Sequence, residues 1–391
     1  GGEVAVVETS ASAKAGCNMV SALFYVQLGD VNKAPELYTA LSLAMHHPGC
    51  KIVLMTDNQT KTSAWEAIEE VEVMRLDSKR TEKLRETKEL MLFRHIMEID
   101  LLMQYNKEAK ASGIPAPNVV FLDTDVMIMK PLLPVFERTV TSIDAKGNRV
   151  EAAWDVGMTV RSACPRKFKD RCLTQPINTG VKFVHGEHVK GALSLWQVAA
   201  DYWVLENSAF FCFTHLIGSS DGKPITYEEG IEQKIKRRMR RNSTADFLCD
   251  QAAFFNAIMA GKHVIRGPPW GRFNFSNYSS LGQEMIAVPR TSKGKPAPAN
   301  SDRAEQRIRL NFLPCNRWNA ILSGRHADDC KPQGYRSYII HFKGSSSKPK
   351  GKILWAVMKH AYATYGKPDG PRSNQYFNEI YSAASLLRPD D

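Results

Sequence analysis

Apolar residues along the chain gather in short runs separated by amphipathic stretches. Ser21-Ala-Leu-Phe-Tyr-Val-Gln-Leu28 is a compact apolar, aromatic run that stops at Gly29-Asp30 and predicts a buried strand. Residues 33–46 set Leu37, Ala40, Leu41 and Ala44 at helical spacing, and Pro48-Gly49 ends that helix. Lys51-Ile-Val-Leu-Met-Thr-Asp57 predicts a second strand running into a turn. Residues 62–70 read as a helix and 72–76 as a third strand. A long amphipathic helix is expected over about 83–106, with Leu84, Met91, Phe93, Met97, Leu101 and Leu102 on its buried stripe. Beyond the Gly-Ile-Pro-Ala-Pro connector, Asn118-Val-Val-Phe-Leu122 predicts another strand.

Strands alternating with helices imply an α/β fold, a mostly parallel central sheet with helices on both faces. Such sheets bind ligands at the carboxyl ends of their strands, where Asp123 and Asp125 fall. There is no internal repeat. Residues 1–20, rich in Ala, Ser and Gly, read as a flexible leader, and 21–355 as one domain. Its halves are 21–150 and 151–355. The polar, Pro-rich stretches near 218–245 and 286–305 read as insertions, and 356–391 as a C-terminal helical tail.

Composition narrows the class. Over 391 residues, 43% hydrophobic and 24% charged content excludes a disordered or collagenous chain. No apolar run is long enough to span a membrane. The chain opens on Gly1-Gly2 without Met, which reads as a trimmed fragment and leaves a lost signal or anchor open. Eight cysteines without a CxxC pair argue against a zinc ribbon and permit disulfides, a Cys164–Cys172 loop among them. With four N-x-S/T sequons (Asn58, Asn242, Asn274, Asn277), they favour the Golgi or another secretory lumen over the cytoplasm. The net charge of +11 is densest at 234–241, a run that could grip phosphates but carries no nucleic-acid signature. A solvated helix or loop is the plainer reading, and nucleic acid is not an expected partner.

Four short segments carry candidate chemistry. In Asp123-Thr-Asp125 the two carboxylates, two residues apart at a strand end, point to one side and suit a hard divalent cation, Mg²⁺ or Mn²⁺. Asn178-Thr-Gly180 stands just before an apolar run and reads as a small polar turn. Asp250-Gln251 opens a helical pattern, where an acid can also serve as a cap. Tyr338-Ile-Ile-His341-Phe-Lys-Gly344-Ser-Ser-Ser-Lys348 reads as a strand entering a Gly/Ser loop. Its imidazole suits a manganese-like ion, and the loop with Lys348 suits a diphosphate.

The order strand–D-x-D, N-x-G, D-Q and H-F-x-G with a nearby Lys-Pro resembles the retaining glycosyltransferases of family 8, the glycogenin and galactosyltransferase relatives with the GT-A fold. Leu313-Pro-Cys-Asn-Arg-Trp-Asn319 is similar to the segment that precedes the histidine motif there. The resemblance spans about 21–355. It implies a Rossmann-like nucleotide-diphospho-sugar transferase with a Mn²⁺ (or Mg²⁺) ion on Asp123, Asp125 and His341. Gln27 and Leu28 would contact the nucleoside of a donor such as a UDP-sugar. Lys88, of a Thr87-Lys88 pair taken to open the long helix, would approach the donor. Asn178, Thr179 and Gly180 would meet the donor sugar, Asp250 and Gln251 would flank the anomeric carbon, and Gly344 and Lys348 would contact the diphosphate. The acceptor would be a glycan or protein hydroxyl.

Two departures stand out. Lys348 lies seven residues after His341, where the family has six, and Lys350 takes the place of a tryptophan. A neighbouring GT-A arabinosyl- or xylosyltransferase family, or a GT-A-like protein that binds nucleotide sugar without transfer, are the alternatives.

Overall fold

The computed structural model describes residues 17–28, 37–143, 149–160, 177–205, 250, 253–254, 257–258, 283–287, 306–321 and 337–342. Gln251, Gly344, Lys348, the 234–241 run, the Cys164–Cys172 loop, the 218–245 stretch, most of 286–305 and the 356–391 tail lie outside them. The strands in chain order are β1 (Met19–Phe24), β2 (Lys51–Thr56), β3 (Val71–Arg75), β4 (Asn118–Leu122) and β5 (Val126–Ile128). There follow β6 (Val140–Ile143), β7 (Arg149–Ala152), β8 (Val156–Val160) and β9 (Ile177–Val184). The last are β10 (Gln283–Ala287), β11 (Gln306–Pro314), β12 (Ala320–Ile321) and β13 (Ile339–His341). The helices are α1 (Tyr38–His46), α2 (Ser63–Glu66), α3 (Ser78–Thr87), α4 (Leu90–Ser112) and α5 (Val189–Leu205), with a single turn at Cys315–Trp318. Among the described residues no helix is long and apolar enough to cross a membrane.

The chain divides into two compact units. One comprises Gly1–Lys88, Asn118–Glu137 and Pro314–Asp391, the other Glu89–Pro117 and Arg138–Leu313. In the first, β3, β2, β1 and β4 lie side by side in that order, all parallel. The strands read as continuous apolar runs because both faces are covered. Ala22, Leu23, Leu54, Val120, Phe121 and Leu122 are fully buried. Each such large apolar side chain contributes about 1.5–3 kcal/mol over leaving it in water. The order reverses direction between β1 and β4, which makes the carboxyl edge of those two strands the place where a ligand crevice forms. A second, small sheet stands at that edge: β12 runs parallel to β13, and β13 pairs antiparallel with β5. A disulfide, Cys17–Cys50, joins the segments leading into β1 and β2.

In the second unit β8 and β9 pair antiparallel, with a register shift between Met158 and Thr159, and β10 pairs antiparallel with β11. Helices α4 and α5 pack together there. Gly113 caps α4 at φ 69°, a left-handed conformation that glycine adopts without penalty, and its N–H returns to the Ala109 carbonyl.

Several boundaries differ from the sequence-based expectation. The first strand starts at Met19, so the stretch expected as a leader reaches into β1, and its pairing ends at Phe24. The expected helix over 62–70 shortens to α2. The single long helix is two: Lys88, at φ 57°, terminates α3, and α4 starts anew at Leu90. The Thr87-Lys88 pair therefore closes a helix instead of opening one. Asp77 begins α3 by accepting the Arg80 N–H at 2.8 Å, as an N-cap aspartate does. Asn178-Thr-Gly180 is part of β9, not a turn before it.

Candidate active site

In the first unit the D-x-D segment is the turn joining β4 to β5. Its backbone is held from below by two buried hydroxyls of α1. Thr39 Oγ1 lies 2.6 Å from the Thr124 carbonyl oxygen and 2.5 Å from that of Val126. Ser42 Oγ accepts the Ile128 N–H at 3.1 Å and donates to the Thr39 carbonyl. Both side chains are fully buried, and their partners satisfy groups that would otherwise be costly to desolvate. The aspartates face the opposite way and stay partly open, at 20% and 26% exposure for Asp123 and Asp125.

His341 reaches this turn through strand pairing. It sits opposite Val126 in the β13–β5 ladder, and the next N–H, of Phe342, donates to the Asp125 carbonyl at 2.9 Å. Its Nε2 comes to 3.0 Å from Asp125 Oδ1 and 3.3 Å from Asp123 Oδ2. Three donor atoms at those spacings can hold one ion: cis ligands at about 2.1 Å from an octahedral cation stand about 3 Å apart. Two carboxylates and one imidazole suit Mn²⁺ or Mg²⁺.

The tautomer is set from behind. His341 Nδ1 lies 2.8 Å from Asn319 Oδ1, an oxygen that can only accept, so Nδ1 is the donor and Nε2 is the nitrogen available to an ion. Asn319 is fully buried and follows the helical turn after β11. In the sequence it stands only as the end of the Leu313–Asn319 segment, which suggests no role for it. Thr39 and Ser42 were missed outright, and a Thr/Ser pair three apart on the buried face of an otherwise apolar helix was the available signal.

At the same carboxyl edge the Gln27 N–H donates to Thr60 Oγ1 at 3.0 Å, which fixes the chain beyond β1. The 57–62 loop is itself braced. Buried Asp57 accepts the Thr60 N–H at 2.8 Å and pairs with Arg85 at 2.6 Å, while Arg75 binds the Asp57 and Thr60 carbonyls. Burial alone would raise the Asp57 carboxyl, but the bonds from Arg85 and Thr60 outweigh it and hold the pKa below the usual value. Leu28 is half-buried beside Gln27, and Lys88 is exposed.

In the second unit Asn178, Thr179 and Gly180 occupy β9. The Asn178 carbonyl oxygen Oδ1 accepts the Gly180 N–H at 2.9 Å, while its buried Nδ2 has no hydrogen-bond partner among the described residues. Thr179 Oγ1 donates to Asp250 Oδ2 in a buried, short contact, and Arg94 Nη2 reaches the Thr179 carbonyl at 3.5 Å. Beneath them lies a charge cluster that sequence reading missed. Glu98, fully buried, takes Arg94 Nε at 2.9 Å, Lys182 Nζ at 2.8 Å and Trp196 Nε1 at 2.7 Å. The Lys182 ammonium also stands over the Trp196 and Phe254 rings. Burial would raise the Glu98 carboxyl, yet Lys182 and Arg94 together hold it below the usual carboxylate value.

Thus Asp123, Asp125 and His341 come together in one unit, and Asn178, Thr179, Gly180 and Asp250 in the other. No protein-family model and no curated protein sequence matches the chain. Among solved structures it is similar to the galactosyltransferase LgtC in complex with donor and acceptor sugar analogues. That match has 10% identity over 95% of this chain and 97% of the other, with a TM-score of 0.36. It is similar to mouse xyloside xylosyltransferase 1 at 12% identity, over 84% of this chain and 99% of that one, with a TM-score of 0.38. The glycosyltransferase GlyE of Streptococcus pneumoniae is similar at 13% identity over 48% of this chain and 38% of its own, with a TM-score of 0.29.

Proposed function

We propose that the protein is a GT-A-type glycosyltransferase that moves a sugar from a nucleotide diphosphate, a UDP-sugar first, to a glycan or protein hydroxyl with retention. The observation that carries this reading is the convergence of Asp123, Asp125 and His341 Nε2 at the edge where the parallel strand order reverses. Those three residues would hold Mn²⁺ or Mg²⁺, which when bound neutralises the leaving diphosphate. Gln27 and Leu28 would contact the nucleoside, Lys88 would approach the donor, and Gly344 and Lys348 would contact the diphosphate.

The Asn178 amide N–H₂ and the Thr179 hydroxyl bind sugar hydroxyls, and Gly180 lets the ring approach the strand. Asp250, with Gln251, stabilises positive charge at the anomeric carbon. The bond from that carbon to the diphosphate oxygen breaks, the nucleotide leaving with the electron pair. The acceptor oxygen bonds to the carbon on the same face, and its proton passes to the departing phosphate. The Cys17–Cys50 disulfide and the disulfide-bonded Cys315 support a secretory lumen such as the Golgi.

The test is release and transfer of sugar from a panel of UDP-sugars, with Mn²⁺ or with EDTA. Transfer that requires the ion and falls at least 100-fold in Asp125→Ala is expected. Near wild-type turnover in that variant would overturn the metal assignment, and binding of the nucleotide sugar with neither UDP release nor glycosylated product would favour a binding protein.

A further inference from the structure

A second cluster of metal-ligating side chains lies in the second unit. Just past β9 the chain makes a 3₁₀ turn, Gly186–His188, and places His185, Glu187 and His188 with one ligand atom each within 4.8 Å of one another. The two imidazole centroids are 5.4 Å apart. The turn is held rigidly. A side chain at Gly186 would put its Cβ 1.9 Å from the Ala116 carbonyl oxygen, so the backbone is seated directly on the Ala116–Pro117 segment. The His185 N–H donates to the Asp155 carbonyl at 3.0 Å, and the Trp154 ring meets His185 edge-on.

Two further features point to a cation. The Asp155 carboxylate stands 3.8 Å from His188 Nδ1, beyond hydrogen-bond reach but close enough that a small ring rotation would give the carboxylate–histidine contact that orients a metal-binding imidazole. The other ring nitrogen, His188 Nε2, is buried and has no hydrogen-bond partner among the described residues. Asp155 is itself anchored, its Oδ2 accepting the Arg309 N–H at 2.5 Å.

We propose that His185, Glu187 and His188 form a second metal site, specific for a borderline divalent ion of the Zn²⁺ class. Two imidazoles and one carboxylate are the donor set of open, three-ligand zinc centres, unlike the oxygen-rich D-x-D site. Ligand atoms around tetrahedral Zn²⁺ stand about 3.3 Å apart. Closing from 4.8 Å requires only side-chain rotation, which exposed Glu187 and the half-exposed rings permit. Solvent or an external ligand fills the fourth position.

The experiment uses the full chain carrying Asp123→Ala and Asp125→Ala, which removes the other site, titrated calorimetrically with Zn²⁺ and spectroscopically with Co²⁺. One equivalent of Zn²⁺ and the intense visible bands of four-coordinate Co²⁺ are expected. Adding His188→Gln abolishes both, and Asp155→Asn weakens binding roughly 10–100-fold. Glu187→Gln, at an exposed position, keeps the test valid if a histidine variant misfolds. No binding in the Asp123→Ala/Asp125→Ala protein, or undiminished binding after both His188→Gln and Glu187→Gln, overturns the proposal. Either failure leaves the glycosyltransferase reading where it stands, because sugar transfer is measured at the other site.

Discussion

Replacing Glu98 with Gln tests the buried charge cluster beneath Thr179 and Asp250. Glu98 faces Lys182 at 2.8 Å and Arg94 at 2.9 Å, and all three side chains are at most 4% exposed. At an effective dielectric constant near 20, each attraction is worth about 6 kcal/mol. Each is opposed by a desolvation cost of several kcal/mol per ion. Glu98→Gln removes both attractions and leaves two desolvated cations on a neutral amide, so a loss of about 3–5 kcal/mol follows. Lys182→Met removes one attraction but also one buried charge, and leaves Glu98 bonded to Arg94 and Trp196. Its cost is smaller, about 1–2 kcal/mol.

The assay is urea unfolding at neutral pH, followed by tryptophan fluorescence and compared as midpoint shifts at constant slope. The sign of the pH dependence is fixed as well. Because the folded pKa of Glu98 is depressed, its contribution is present above the unfolded carboxylate range. It is lost as pH falls through the folded value, so the gap between wild type and Glu98→Gln narrows in acid. A Glu98→Gln cost under about 1 kcal/mol, or one smaller than that of Lys182→Met, would refute the reasoning.

Other outcomes follow from the same geometry. Asn319→Ala frees the tautomer of His341 and should weaken Mn²⁺ binding about 10–100-fold, read by calorimetry, with the fold retained by circular dichroism. Leu132 donates its N–H to His47 Nε2 at 2.7 Å, and buried His95 is likewise held neutral; burial lowers each pKa to about 4. Both depressed values mean stability is complete above the unfolded histidine pKa and declines as pH falls toward 4, by up to about 1.4 kcal/mol per pH unit for each. A flat urea midpoint between pH 6.5 and 4.5 would contradict this. Cys17→Ser with Cys50→Ser opens a loop of 33 residues' separation and should cost about 3–4 kcal/mol. Gly186→Ala should lower the thermal midpoint, because the new methyl meets backbone and not a movable side chain.

What the sequence revealed and what it hid divide along distance. The alternation of apolar runs and amphipathic stretches gave the parallel strands and the D-x-D turn at their carboxyl edge, since both depend on neighbouring residues. The break at Lys88 escaped because no glycine or proline marks it; the conformation is carried by a lysine at φ 57°. Asn178–Gly180 looked like a turn because small polar residues favour one, yet the Asn178 side chain satisfies the Gly180 N–H locally and the strand continues. Lys182 interrupts an apolar run and is buried on Glu98, a partner contributed by α4. Asn319 and Thr39 matter through partners 22 and 85 or more positions away, which no periodicity can announce.

The antiparallel pairing of β13 with β5 has a consequence for how the chain is made. Asp123 and Asp125 leave the ribosome long before His341, so a nascent or C-terminally truncated chain presents the two carboxylates without the imidazole that joins them. If the three side chains hold an ion as proposed, its affinity would report whether the final segment has docked, and the bound ion would stabilise only the chain in which it has. On that proposal, the ion would favour finished copies over shortened ones.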